Sequence, residues 1–153
     1  MILSTALALA AALALSPTYV DGTPGDDNLR GTRGDDHIHG HQGDDHISGS
    51  TGSDVLIGGY GNDLLKDWTG VGAGVPIDDS RDVFRGGPGQ DTLYVGHHDV
   101  VTAGVGDDEV WGYYIDDTDV IDCGPGNDVL HLHQDLTGVL TRGCETILIA
   151  IAG

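Results

Sequence analysis

Aspartate and histidine side chains, which could bind a metal or transfer a proton, recur along most of the chain. The stretch GHQGDDHIS, residues 40–48, sets two aspartates and two histidines beside two glycines. Carboxylates and imidazoles in this density suit acid–base catalysis, transition-metal binding or calcium binding. An acidic disordered linker would have a similar composition, so the neighbouring sequence has to distinguish these interpretations.

The stretch is one of five consecutive nine-residue units that fill residues 22–66. They read GTPGDDNLR, GTRGDDHIH, GHQGDDHIS, GSTGSDVLI and GGYGNDLLK. Every unit has glycine at positions 1 and 4, aspartate at position 6, and leucine or isoleucine at position 8. A fixed period of this kind predicts a stacked repeat architecture.

The repeat is interrupted once and then resumes less strictly. A glycine-rich insertion occupies residues 67–76, and a second, degenerate block occupies residues 77–131. In that block residues 86–94 and 123–131 are complete or nearly complete units, with Cys123 at position 1 of the second, and residues 103–111 differ only at position 1. The last segment, residues 132–153, loses the motif and becomes apolar, so we predict a C-terminal cap that covers the end of the stack.

Each position of the unit has a predicted structural role. Glycine at positions 1 and 4 is expected to let the backbone take positive φ in tight turns. Positions 7 to 9 predict a short strand whose residue 8 points to one face, giving a thin stacked core. The predicted core residues are Leu29, Ile38, Ile47, Leu56, Leu65, Phe84, Leu93, Val101, Val110, Ile121 and Leu130.

The aspartate at position 6 lies where each turn meets its strand. Turns that stack at the strand spacing of about 4.8 Å would bring these carboxylates close enough to repel one another. A hard cation removes the repulsion, and calcium takes six to eight oxygen ligands from carboxylates and carbonyls. The sequence has no set of closely spaced Cys and His residues typical of zinc or copper sites, so calcium is the predicted metal.

The tandem motif G-G-x-G-x-D-x-U-x, where U is a large apolar residue, resembles the RTX (hemolysin-type) calcium-binding nonapeptide repeats over residues 22–131. The resemblance implies an all-β fold, a right-handed parallel β-roll in which two units make one turn and calcium lies between turns on one edge. Position 2 departs from the family pattern, because the first four units have Thr, His or Ser there. That departure is tolerable if only the backbone carbonyl is used.

Carried over residue by residue, the resemblance implies a set of calcium ligands. They are Asp27, Asp36, Asp45, Asp54, Asp63, Asp91, Asp108 and Asp128. The implied bridging pairs are Asp27 with Asp45, Asp36 with Asp54, Asp45 with Asp63, Asp82 with Asp99, Asp91 with Asp108, Asp99 with Asp119, and Asp108 with Asp128.

Charge and the two ends of the chain bound the cellular context. The net charge of −19 excludes nucleic acid as a partner, because phosphates would be repelled. Residues 1–20 predict a cleaved export signal with a small-residue site at residues 12–14, and therefore a secreted protein. No Lys or Arg precedes the apolar run, so an upstream start or an anchor stays open. No other segment resembles a membrane span, and stable membrane insertion is not expected.

Two cysteines, Cys123 and Cys144, predict a disulfide in an exported protein, with two unpaired thiols as the alternative. The bridge would close a loop of about 22 residues, worth roughly 3 kcal/mol.

Catalysis is not expected. The sequence has neither H-E-x-x-H nor G-x-S-x-G, and the repeats leave little chain for a catalytic domain. His37 and His39 could share an outer strand face as a two-histidine site, although a solvated face is the preferred interpretation.

We predict a β-roll whose folding is coupled to calcium, acting as a structural or interaction module. The alternatives are a calcium-dependent adhesin or matrix protein, and a non-catalytic fragment of a secreted toxin or enzyme. The adhesin needs a protein or glycan partner, which the sequence does not identify. Its contact candidates are Trp68 and the run Trp111-Gly112-Tyr113-Tyr114, for which local packing is the preferred interpretation.

Overall fold

Short parallel strands joined by glycine-rich turns form the architecture. The computed structural model describes residues 17–67, 80–113, 115, 119–133 and 139–150, and within these ranges every regular element is a strand. The strands are β1 Thr18–Asp21, β2 Asn28–Arg30, β3 Asp36–Gln42, β4 His46–Ser48, β5 Val55–Tyr60, β6 Leu64–Lys66, β7 Val83–Pro88, β8 Thr92–Val95, β9 Val100–Val105, β10 Glu109–Gly112, β11 Val120–Asp122, β12 Val129–Leu132, β13 Leu140–Arg142 and β14 Thr146–Ile149.

The strands alternate between two seven-stranded sheets. One sheet has the order β1-β3-β5-β7-β9-β11-β13, and the other has β14-β12-β10-β8-β6-β4-β2. All pairings are parallel, so consecutive strands cross from one sheet to the other and each strand pairs with the strand two places along. The predicted parallel β-roll is therefore confirmed.

Position 8 supplies the core between the two sheets. Leu29 aligns with Ile47, which aligns with Leu65, so the same position repeats along the sheet. All the predicted core residues except Leu29 are at most 1% exposed, and Leu29 is half-buried in the outermost even-numbered strand. Each buried aliphatic side chain contributes about 1.5–3 kcal/mol, which makes the position-8 residues of the two sheets the main apolar support of the roll, supplemented by Val95, Ala103, Ile115, Cys123 and Leu132.

The roll begins earlier than the first complete unit. Strand β1 pairs with β3, with Thr18 beside Asp36 and Val20 beside Ile38. Val20 thus takes the core position of a partial unit. Strand β1 includes residues 18–20 of the segment predicted as an export signal, and cleavage of that segment stays a prediction.

At the other end, β13 and β14 add the last strand to each sheet. A disulfide between Cys123 and Cys144, with Cα atoms 5.2 Å apart, links the turn before β14 to the end of β11, and so confirms the predicted bridge. Apolar side chains of these strands are exposed, with Leu140 at 67% and Leu148 at 49%. The described residues include no helix long and apolar enough to cross a membrane.

Backbone conformation corrects one predicted role. Glycines at position 4 have positive φ as expected in several units, for example 107° at Gly43 and 132° at Gly61, but not in the first two units, at Gly25 and Gly34. Position-1 glycines do not, and the positive φ is found instead at position 2. It reaches 86° at His41, 101° at Ser50 and 120° at Gly59.

Candidate metal centre

The position-6 aspartates form two columns, one along each edge of the roll. Each aspartate lies at the start of a strand, so consecutive units place their carboxylates on opposite edges. The even column, which leads into the even-numbered strands, contains Asp27, Asp45, Asp63, Asp91, Asp108 and Asp128. The odd column contains Asp36, Asp54, Asp82, Asp99 and Asp119. Both edges of the roll therefore have a column of carboxylates, and the position of calcium on one edge stays a prediction.

Backbone hydrogen bonds join the aspartates within each column. In the even column, every backbone N–H donates to Oδ1 of the next aspartate at 2.8 Å, from Asp27 through to Asp128. In the odd column the corresponding distances are between 2.6 and 3.1 Å. These bonds hold one carboxylate oxygen of each residue in place and leave Oδ2 for another partner.

The columns bring together every pair that the repeat predicted. They also continue across the insertion, since Asp54 donates to Asp82 and Asp63 donates to Asp91. These two pairs were not predicted, because the degenerate sequence after the insertion does not show which later unit stacks on which earlier one.

The second carboxylate oxygens are buried without protein partners. The Oδ2 atoms of Asp45, Asp63, Asp91, Asp108 and Asp128 have no hydrogen-bond partner among the described residues, and these residues are at most 2% exposed. A buried, unpaired charged oxygen costs several kcal/mol, so this arrangement calls for a cation or a proton.

Position-1 glycines let these carboxylate oxygens and the next turn approach the backbone closely. A Cβ built on Gly58 would contact Asp63 Oδ2 and lie 2.8 Å from the carbonyl oxygen of Gly86. One built on Gly40 would contact Asp45 Oδ2 and lie 2.7 Å from the Gly58 carbonyl oxygen. Glycine at position 1 therefore provides close approach rather than positive φ. A carboxylate oxygen and a carbonyl oxygen from the next turn thus lie close together beside each glycine, and oxygens of these two kinds suit calcium.

The electrostatics of the columns favour the same conclusion. Burial raises the pKa of Asp63 to about 6, of Asp91 to about 7 and of Asp99 to about 8, and neighbouring aspartates raise each further. Backbone N–H donation opposes these shifts without cancelling them. Without a cation these carboxyls keep their protons up to a higher pH than an ordinary aspartate does. A bound divalent cation favours the ionised carboxylate instead.

The first two units differ from the rest. Thr23 donates to Asp27 Oδ2 through its backbone N–H at 2.5 Å and its hydroxyl at 3.0 Å. Thr32 makes the same pair of bonds to Asp36 Oδ2, at 2.5 and 3.1 Å. Threonine at position 2 therefore already satisfies the oxygen that is unpartnered in Asp45, and a cation at these two units has to compete with it.

Glu145 extends the even column, and sequence reasoning missed it. The backbone N–H of Asp128 donates to Glu145 Oε2 at 2.9 Å, as each earlier aspartate does to the next. Ile147 pairs with Leu130 in the core register. Gly143, Glu145 and Ile147 have the spacing of positions 4, 6 and 8. The last segment, predicted to lack the motif, therefore keeps its second half.

The aromatic contact candidates pack against one another. Trp111 stacks on His131 with ring centroids 3.8 Å apart, and Tyr113 stacks on His133 at 4.2 Å. Tyr94 lies on the other side of Trp111, at 6.0 Å. Each ring thus has a neighbour in an adjacent turn, which agrees with local packing. Trp68 and Tyr114 lie outside the described residues.

Comparison with known proteins gives one result. Four segments of the chain match the model of the RTX calcium-binding nonapeptide repeat, at residues 21–56, 48–70, 78–110 and 95–130. No curated protein and no solved structure matches the chain.

Proposed function

Because the chain belongs to the RTX calcium-binding nonapeptide repeat family, we propose that it is an exported, non-catalytic β-roll module whose folding is coupled to calcium. Its repeats bind Ca²⁺ and build a structural module. The observation that carries the coupling is the set of buried, unpartnered Oδ2 atoms along the even column.

Calcium would be held between successive turns by the columns. The proposed ligands are Asp27, Asp36, Asp45, Asp54, Asp63, Asp91, Asp108 and Asp128, to which Glu145 adds a terminal carboxylate. Backbone carbonyl oxygens of position-1 glycines lie close to the same carboxylates. The strongest sites are those in which Oδ2 has no competing donor. In the even column these are at Asp45, Asp63, Asp91, Asp108 and Asp128 rather than at Asp27, to which Thr23 donates.

Folding depends on this charge compensation. The chain has 25 acidic against six basic residues, and its core is thin, built mainly from one position-8 side chain per unit. Self-repulsion opposes the compact state. An ion that binds only the folded form contributes its binding free energy to folding, about 2.7 kcal/mol per site at a concentration one hundred times Kd.

A calcium titration of chelator-treated protein, followed by far-UV circular dichroism, tests the coupling. We expect a cooperative gain of β signal, whereas magnesium at the same concentration gives a much smaller gain, since it prefers to keep its waters. Protein that is already folded in chelator, or that ignores millimolar calcium, contradicts the proposal. The export part is tested separately by mass analysis of protein recovered from culture medium, where cleavage near residue 14 is expected.

A calcium-dependent adhesin or matrix protein is the second candidate. The exposed apolar side chains of β14, with Ile147 at 45% and Ile149 at 45%, favour it, because a simple end cap would present a polar outer face. Chelator-reversible binding to immobilised glycans or matrix proteins would support this candidate. Binding that persists in chelator would not.

A further inference from the structure

Three potential metal ligands meet on the outer face of the first sheet, away from the aspartate columns. One ligand atom each from Asp21, His39 and His41 lies within 4.8 Å of the other two. His41 Nε2 is 3.6 Å from Asp21 Oδ1, and the two imidazole rings have centroids 3.9 Å apart. None of these residues is part of either column.

The sheet register produces this cluster. Asp21 of β1 is the direct neighbour of His39 in β3, and His41 is two residues farther along the same strand. Residues two apart in a strand point to the same face. Ile38 and Gly40, which flank His39 in the strand, are buried on the core side, so the ligand atoms are on the side opposite the core.

The backbone at His41 is unusual for a residue with a side chain. Its φ is 86°, in the left-handed region. The same position of other units is occupied by glycine with positive φ, at Gly59, Gly87 and Gly104. Glycine would satisfy the backbone there without strain, so the turn itself does not explain an imidazole at this position.

The spacing fits a tetrahedral transition-metal ion. Zinc binds histidine nitrogen and carboxylate oxygen at about 2.0–2.2 Å, which places two tetrahedral ligand atoms about 3.3 Å apart. The 3.6 Å between His41 Nε2 and Asp21 Oδ1 is close to that value. The side chains of His41 and Asp21 are 43% and 76% exposed, so small rotations suffice to close the wider separations.

We propose that Asp21, His39 and His41 form a second class of metal site that binds Zn²⁺, with the fourth position open to water. Two imidazoles and one carboxylate favour zinc over calcium, which takes oxygen ligands. The site spans β1 and β3, so bound zinc fastens the first strand to the rest of the roll.

Zinc titration of the full, calcium-saturated chain tests the site, with saturating calcium keeping zinc from the columns. The key variant is His41→Gly, which removes a ligand and installs the residue that other units use at this φ. His37→Asn is the matched control, since His37 lies on the same face of β3 but outside the cluster. We expect one zinc per chain in the wild type and in the control. His41→Gly and Asp21→Asn should weaken zinc binding at least tenfold, because loss of an outer-shell partner alone costs about 10–100-fold.

Cobalt absorption in the visible region supplies a second measurement, since bands typical of four-coordinate Co²⁺ should appear in the wild type and not in His41→Gly. Calcium-dependent circular dichroism shows that each variant folds. Equal zinc affinity in the wild type and His41→Gly would overturn the proposal. So would zinc binding that disappears in calcium, which would place the zinc in the columns.

Discussion

Replacing Gly40 with alanine tests whether calcium binding requires glycine at position 1. The added Cβ would contact Asp45 Oδ2 and lie 2.7 Å from the carbonyl oxygen of Gly58. The substitution changes neither charge nor any hydrogen-bonding side chain. Gly25→Ala is the matched control, because the nearest atom to its Cβ is Thr23 Oγ1 at 4.0 Å and its φ is not positive.

Two contributions set the size of the effect. Overpacking against the Gly58 backbone costs about 1–3 kcal/mol. Loss of the bound ion removes a further 2.7 kcal/mol or so at a calcium concentration one hundred times Kd. Together these give about 4–6 kcal/mol for Gly40→Ala. The control should be neutral or stabilising by about 0.4–1 kcal/mol, because alanine restricts the unfolded chain.

Urea unfolding at saturating calcium measures the free energy, and calorimetric titration counts the ions. Gly40→Ala should bind at least one calcium fewer than the wild type and require more calcium to fold. If both alanine variants shift the calcium midpoint equally, or if Gly40→Ala retains the full number of ions, calcium does not bind beside Gly40 and Asp45.

Three further outcomes follow from the same structure. Leu65→Ala should lower the free energy of unfolding at saturating calcium by about 2–5 kcal/mol. Val105→Ala, at a position 57% exposed, should change it by less than about 0.5 kcal/mol. Equal effects would contradict a core built from the position-8 residues. Burial raises the pKa of Asp91 from 3.8 to about 7. The Asp91 carboxyl therefore makes its full contribution to the stability of the calcium-free roll below pH 3.8, and this contribution is lost as pH rises through 7. Protons therefore compete with calcium, and the calcium midpoint measured by circular dichroism should rise as pH falls from about 8 to 5; a pH-independent midpoint would refute this. Reduction of the bridge between Cys123 and Cys144 should cost roughly 3 kcal/mol in urea unfolding, with hydrogen exchange increasing first in β13 and β14; uniform exchange would argue against a local role for the bridge.

The core was predictable because the repeat fixes it. One apolar residue recurs at position 8, and an alternating strand allows only one face for it, so Ile38 and Phe84 are buried as expected even though their units differ in quality. Leu29 is the exception because no earlier even-numbered strand covers it. A local pattern predicts which face a residue occupies, while exposure also depends on how many turns stack beyond it.

The site was predictable in its residue types and less so in its connections. Spacing alone identifies Asp45 and Asp63 as neighbours, but the partners Asp54 and Asp82 are 28 residues apart because an insertion separates them in the sequence. The role of position-1 glycine also required the structure, since the atom that a side chain would meet belongs to the next turn. Threonine at position 2 looked tolerable from sequence, yet Thr23 occupies the carboxylate oxygen that calcium would use.

The direction of the column hydrogen bonds has a consequence in time. Each bond runs from an earlier residue's N–H to a later residue's carboxylate, beginning with Asp27 and Asp45, which are 18 residues apart. The final acceptor, Glu145, arrives near the end of the described chain. A chain that emerges with its N-terminus first therefore lacks, at every moment, the acceptor for its newest turn. In such a chain the column bonds of each turn can form only after the following turn has emerged.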